Sequence, residues 1–132
     1  MTTITSDLQA RLAEYHVLAT YDRLRSMRYG DMAALRRGRE LDRLADALID
    51  AGVPVDRRGQ FPTSDLDDLR AAFERVARPR IRRIEREDYR HGTYYTRATL
   101  QAWRATWMEI TGLGYGALLT GDVPVFDERK TR

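Results

Sequence analysis

The apolar residues of this chain recur at three- and four-residue steps in one segment after another, and no segment reads strongly as a strand. A period near 3.6 lays apolar side chains along one face of a helix, whereas a strand exchanges faces at every residue. The clearest case runs from Asp31 to about Ala51, where Met32, Leu35, Leu41, Leu44, Ala45, Leu48 and Ile49 define the inward stripe. Asp31 is placed to cap this helix, and Gly52 followed by Pro54 is placed to stop it. Before it, from Asp7 to about Arg28, Leu8, Leu12, Tyr15 and Ala19 form one stripe and Val17, Tyr21 and Leu24 another. Ser6 or Asp7 can cap that first helix and Gly30 ends it. Apolar residues on two sides predict a helix that is central in a bundle or shared with a partner.

A third helix is expected from Ser64, with Asp65, Asp67 and Asp68 in the turn where the helix dipole favours acidic groups. Leu66, Leu69, Phe73 and Val76 are its expected buried stripe. Pro79 has no amide hydrogen to donate, so a kink or a restart is expected there, with helix continuing through Ile81 and Ile84 to about Asp88. Residues 89–93 read as a turn centred on Gly92. A fourth helix follows from about Tyr95 to Thr111, with Leu100, Trp103, Trp107 and Ile110 on one face and Gly112, Gly114 and Gly116 as breakers.

The expected architecture is therefore all-α: one domain over residues 1–132, an irregular or orthogonal bundle of four main helices with a short polar tail at 127–132. The tripeptide VPV occurs at 53–55 and again at 123–125 within VPVF, which allows a short edge strand pair near 53–55 and 123–126. Hydrophobic residues at 42% and charged residues at 33% belong to a globular composition. No run approaches the ~18 apolar residues of a membrane span, and MTTITSDLQARL lacks the basic and apolar regions of a secretory signal, so a cytoplasmic location is expected. With no cysteine and only His16 and His91, neither a metal site nor a cofactor is expected. Glu40, Asp42, Asp46 and Asp50 read with Arg43 as a solvated ion-pair surface on helix two, and His16 as a histidine satisfied within its helix. GLGYG at 112–116 has neither the preceding strand nor the GK[ST] of a phosphate loop.

Charge carries more information by position than in total. The net charge is +3, and all but one of the 23 basic residues are arginine. Residues 75–90 contain Arg75, Arg78, Arg80, Arg82, Arg83, Arg86 and Arg90 against Glu85, Glu87 and Asp88, a surplus of +4 in one short segment. Arg75, Arg78, Arg82 and Arg86 follow helical spacing and share a face if Pro79 does not rotate it. On the fourth helix Arg97, Gln101 and Arg104 repeat at i, i+4 and i+7, beside the tryptophan face. Arginine matches the guanine edge and glutamine the adenine edge in a major groove. The order helix 80–88, turn, helix 95–111 is helix-turn-helix-like in topology. YRHGTYYTR at 89–97, with Tyr94 near its centre, mixes rings and cations as loops that stack unpaired bases do.

Arg86 and His91 also stand in an R-x4-H spacing that resembles the motif of HEPN ribonucleases, small all-helical domains. That resemblance implies proton transfer at His91 and stabilisation of phosphorane charge by Arg86. Glu87 and Thr93 depart from the residues that family favours around the motif, and Gly92 breaks the helix on which the motif normally sits.

Three functions are thus expected in order. The first is a nucleic-acid-binding accessory or regulatory module, such as a mobile element would use, with DNA or RNA as partner through Arg75, Arg78, Arg82, Arg83, Arg86, Arg90, Tyr94, Arg97, Gln101 and Arg104. The second is a non-catalytic protein-interaction or assembly module, including an inhibitor of a larger nucleic-acid enzyme, that captures a protein or self-associates. The third is a HEPN-like ribonuclease.

Overall fold

A computed structural model describes residues 6–27, 33–53, 55, 65–91 and 93–112; for 84–91 and 93–97 it describes the helical backbone alone. Four helices account for the described elements: α1 (Ser6–Ser26), α2 (Ala34–Asp50), α3 (Leu66–His91) and α4 (Thr93–Thr111). The described part of the chain is all-α. α1 packs against each of the other three, and α3 packs on α4. That is the expected outcome of its two apolar sides. Val17 and Tyr21 enter a core with Leu69, Phe73, Val76, Ile81, Trp103 and Trp107. Leu12 and Tyr15 enter a second cluster with Ala45, Leu48 and Val53.

Aromatic rings set the main core. Tyr21 stacks on Trp103 with centroids 3.7 Å apart and planes 12° from parallel. Phe73 meets Trp103 edge-on at 5.9 Å and Trp107 at 4.9 Å. The T-shaped pair of Phe73 and Trp103 is an arrangement that the ring quadrupole favours. The Arg37 guanidinium lies 5.5 Å from the Tyr21 centroid, so α2 joins the same assembly.

Several sequence expectations are corrected in detail. Leu35, Ile49 and Leu66 are exposed, not buried. Six residues separate Leu35 from Leu41, a rotation of about 240° at the helical period, so Leu35 falls on the outer face while Leu41, Leu44, Ala45 and Leu48 face α1. Pro79 does not divide α3, which runs unbroken from Leu66 to His91. The proline is exposed, and next to it the Arg80 side chain donates to the Val76 carbonyl at 2.8 Å. The carbonyl that loses its helical donor to Pro79 is that of Arg75, four residues back. The expected turn at 89–93 is corrected at its described positions: Tyr89–His91 belong to α3 and Thr93 to α4, and Gly92 lies outside the described residues.

Val53 and Val55 form no strand, and the partner segment 123–126 lies outside the described residues, as do Pro54 and the tail 127–132. Val53 instead completes the end of α2. Gly52 takes φ of 87°, its amide donates to the Ile49 carbonyl at 3.0 Å, and the Val53 amide donates to Leu48 at 2.9 Å. These two bonds, with Val53 packed in the cluster that holds Leu48, make a Schellman stop. The proposed caps Asp31 and Ser64, together with Met32 and Gly30, lie outside the described residues. Observed instead are Ala33 at the start of α2, with no side-chain cap, and Asp65 before α3, whose carbonyl accepts the Leu69 amide at 2.9 Å.

Two stability measurements check this packing. Trp103→Ala removes the ring shared by Tyr21 and Phe73, and urea unfolding is expected to show a loss of about 3–5 kcal/mol. Gly38 lies inside α2 without positive φ, and a Cβ there would meet nothing within 4 Å. Gly38→Ala is expected to stabilise by about 0.5–1 kcal/mol in the same assay.

Candidate nucleic-acid interface

The arginines of α3 divide into two groups. Arg75 donates to Glu14 of α1 at 2.7 Å, Arg78 to Glu74 one turn back at 2.5 Å, and Arg80 to Glu40 of α2 at 2.9 Å. Three members of the basic cluster are therefore held by carboxylates, two of them across helix interfaces. All six side chains are partly exposed, so each pair contributes about 0–1 kcal/mol. The hydrogen bond that Arg78 donates to Glu74 is the main reason the Arg78 pKa rises above its ordinary value.

Arg82 and Arg83 form the second group. Both are exposed, and among the described residues neither has a carboxylate within ion-pairing distance. They stand one and two positions past Ile81, the last described core residue of α3. At about 100° per residue they point in diverging directions from the helix. Of the segment's surplus of +4, three charges are the paired Arg75, Arg78 and Arg80; 82–90 holds Arg82, Arg83, Arg86 and Arg90 against Glu85, Glu87 and Asp88, a surplus of +1, so Arg82 and Arg83 matter as individual exposed groups.

On α4, Gln101 is exposed and Arg104 half-buried, and each makes an interaction within the chain. Their inward neighbours Ala102, Trp103, Thr106 and Trp107 are buried, which leaves Gln101 on the outer side and Arg104 at the margin of the core with its Nε buried. Thr106 returns its hydroxyl to the Ala102 carbonyl at 2.7 Å and so needs no outside partner. The side chains of Arg86, Arg90, His91, Tyr94 and Arg97 lie outside the described residues. The backbone still constrains the R-x4-H pair. Arg86 and His91 both belong to α3, where five residues correspond to positions about 140° apart around the helix. Residues three or four apart are the ones that become neighbours on a helix.

Two arginines matter structurally in ways that spacing did not flag. Arg37 of α2 donates to Asp22 of α1 at 2.9 Å, beside its contact with the Tyr21 ring. Arg25 is only 1% exposed near the end of α1 and is engaged within the chain. The available signal was its position, four after Tyr21 and seven after Leu18 on the stripe that enters the core. Among the described residues no group of three His, Asp or Glu side chains is placed to hold a metal ion, and no helix is long and apolar enough to cross a membrane.

His16 lies at the α1–α4 seam, where Arg23 of α1 pairs with Glu109 of α4. Burial lowers its pKa from 6.5, and the nearby Glu109 carboxylate offsets this in part. No protein-family model, curated protein or solved structure matches the chain.

The His16 shift has a definite sign. A folded-state pKa below the unfolded one means that the folded form prefers the neutral ring. Its contribution is complete above pH 6.5 and is lost as pH falls through the folded-state value. Thermal melts are expected to show Tm falling between about pH 7 and pH 5.5. In His16→Gln that fall is expected to be smaller; an identical slope would remove His16 from the account.

Proposed function

We propose that the protein is a small helical module that binds nucleic acid without catalysis, through phosphate contacts from the distal half of α3. The observation that supports this reading is the exposure of Arg82 and Arg83 with no carboxylate partner among the described residues. A guanidinium presents a planar fork of donors matched to phosphate oxygens. Two adjacent forks diverging from one helix suit contacts to successive phosphates along a strand. Arg86 and Arg90 would extend the footprint towards Gly92. Tyr94, Arg97 and Gln101 would supply contacts to bases beyond it. Because Arg75, Arg78 and Arg80 are already paired, the footprint is smaller than a count of arginines implies. The binding is accordingly weak and governed by salt.

The same ion pairs favour a second reading, a helical scaffold that docks a protein. Its arginines would then serve mainly to tie α3 to α1 and α2. The ribonuclease reading has no comparable support, since it rests on the spacing of Arg86 and His91 alone.

Fluorescence anisotropy with labelled duplex and single-stranded oligonucleotides separates these readings. Binding is expected at about 50 mM salt and is expected to weaken steeply by about 200 mM as counterions are released. The double substitution Arg82→Ala with Arg83→Ala is expected to flatten the dependence of log affinity on log salt by about two units. Absence of binding at low salt would overturn the proposal and leave the docking scaffold.

A further inference from the structure

α2 carries its charges in an order that opposes its own dipole. Arg36, Arg37 and Arg39 outnumber Glu40 in its N-terminal half, and Asp46 and Asp50 outnumber Arg43 in its C-terminal half. The first turn contains no acidic residue and the last turn no basic one. A helix dipole favours the reverse arrangement. A local preference broken this consistently usually serves a contact elsewhere.

The outer face of α2 shows what that contact is. Leu41, Leu44, Ala45 and Leu48 turn towards α1, and the opposite side exposes Leu35, Arg36, Arg39, Asp42, Arg43, Asp46, Ile49 and Asp50. Leu35 at 71% and Ile49 at 45% exposed are two of the largest apolar groups on the described surface. When two copies of a helix pack antiparallel about a twofold axis, positions whose numbers share one total lie opposite each other. With the axis between Asp42 and Arg43 the total is about 85, within the tolerance of side-chain reach. Arg36 then faces the partner's Asp50, Arg39 the partner's Asp46, and Leu35 the partner's Ile49. At the axis Arg43 faces the partner's Asp42. Every charge on the face meets its opposite, and the two exposed apolar side chains meet each other.

We propose that this face is a self-association surface, and that its occupant is α2 of a second copy of the chain. Among the described residues Arg36, Arg39 and Arg43 have no carboxylate within ion-pairing distance. Asp42 and Asp46 have interactions within their own chain, and a carboxylate retains acceptor sites for a second donor. One helix pair of about 25 Å is a small contact, so the dimer is weak, concentration-dependent and sensitive to salt. The surface uses none of the residues assigned to nucleic acid, so each proposal can fail without the other.

Sedimentation equilibrium of the full chain tests it, using Arg36→Asp, Asp50→Arg and the double variant. Each single reversal moves charge in the direction the α2 dipole favours, and circular dichroism checks that the fold is kept. The wild type is expected to dimerise at about 50 mM salt and to dissociate at about 1 M. Each single reversal occurs twice in a symmetric interface and is expected to weaken the dimer about tenfold. The double reversal recreates the pair with its signs exchanged and is expected to restore dimerisation. A wild type that stays monomeric, a dimer indifferent to single reversal, or a double variant that fails to recover would each overturn the proposal.

Discussion

One contiguous chain of ring contacts holds the four helices together. Arg37 of α2 lies over Tyr21 of α1, Tyr21 stacks on Trp103 of α4, and Trp103 takes the edge of Phe73 from α3. Each helix thus contributes one member. The polar elements gather around this axis: Asp22 holds Arg37 from below, and Arg23 ties the same turn of α1 to Glu109. Interiors pack at crystal-like density, so a ring shared by two neighbours also fixes the spacing between them. The position of Trp103 therefore determines which residues of α3 and α4 are left facing outward, and with them the candidate binding surface.

Much of this could be read from the sequence, and the parts that could not have a common cause. Leu69, Phe73 and Val76 on α3, and Trp103 and Trp107 on α4, are buried as their spacing requires. The two-sided pattern of α1 predicted its central place. Helical spacing states which residues share a face, but not which helix that face will meet. Glu14 and Arg75 are 61 positions apart, and Glu40 and Arg80 are 40 apart, so no local pattern joins them. Leu35 shows the opposite error, where a residue of the right type at an allowed step was assigned to a stripe that had already changed phase. At Pro79 the chemistry was read correctly, but tertiary packing on both sides kept the helix continuous. Of the candidate binding residues, Arg82, Arg83 and Gln101 are exposed, while Arg75 and Arg78 are committed to neighbours and Arg104 is half-buried.

Arginine accordingly has two uses in this chain. Arg37, Arg75 and Arg80 are lateral groups whose guanidinium forks bond between helices, and Arg25 is buried near the end of α1. Arg36, Arg39, Arg82 and Arg83 project into solvent on α2 and α3. A composition that looks uniformly basic is thus resolved into a structural set and a set available for recognition, and only the second bears on partners.

The central place of α1 has a consequence for how the chain is made. Its ring partner Trp103 and its ion-pair partner Glu109 lie far downstream, Glu109 at a separation of 86 residues. During synthesis α1 emerges first with two apolar sides uncovered. α2 can cover one of them early, through Ala45, Leu48 and Val53. The other is covered in part once α3 supplies Leu69, Phe73 and Val76, and Tyr21 lacks its stacking partner until α4 brings Trp103, so the nascent protein passes through a half-closed state that α4 ends.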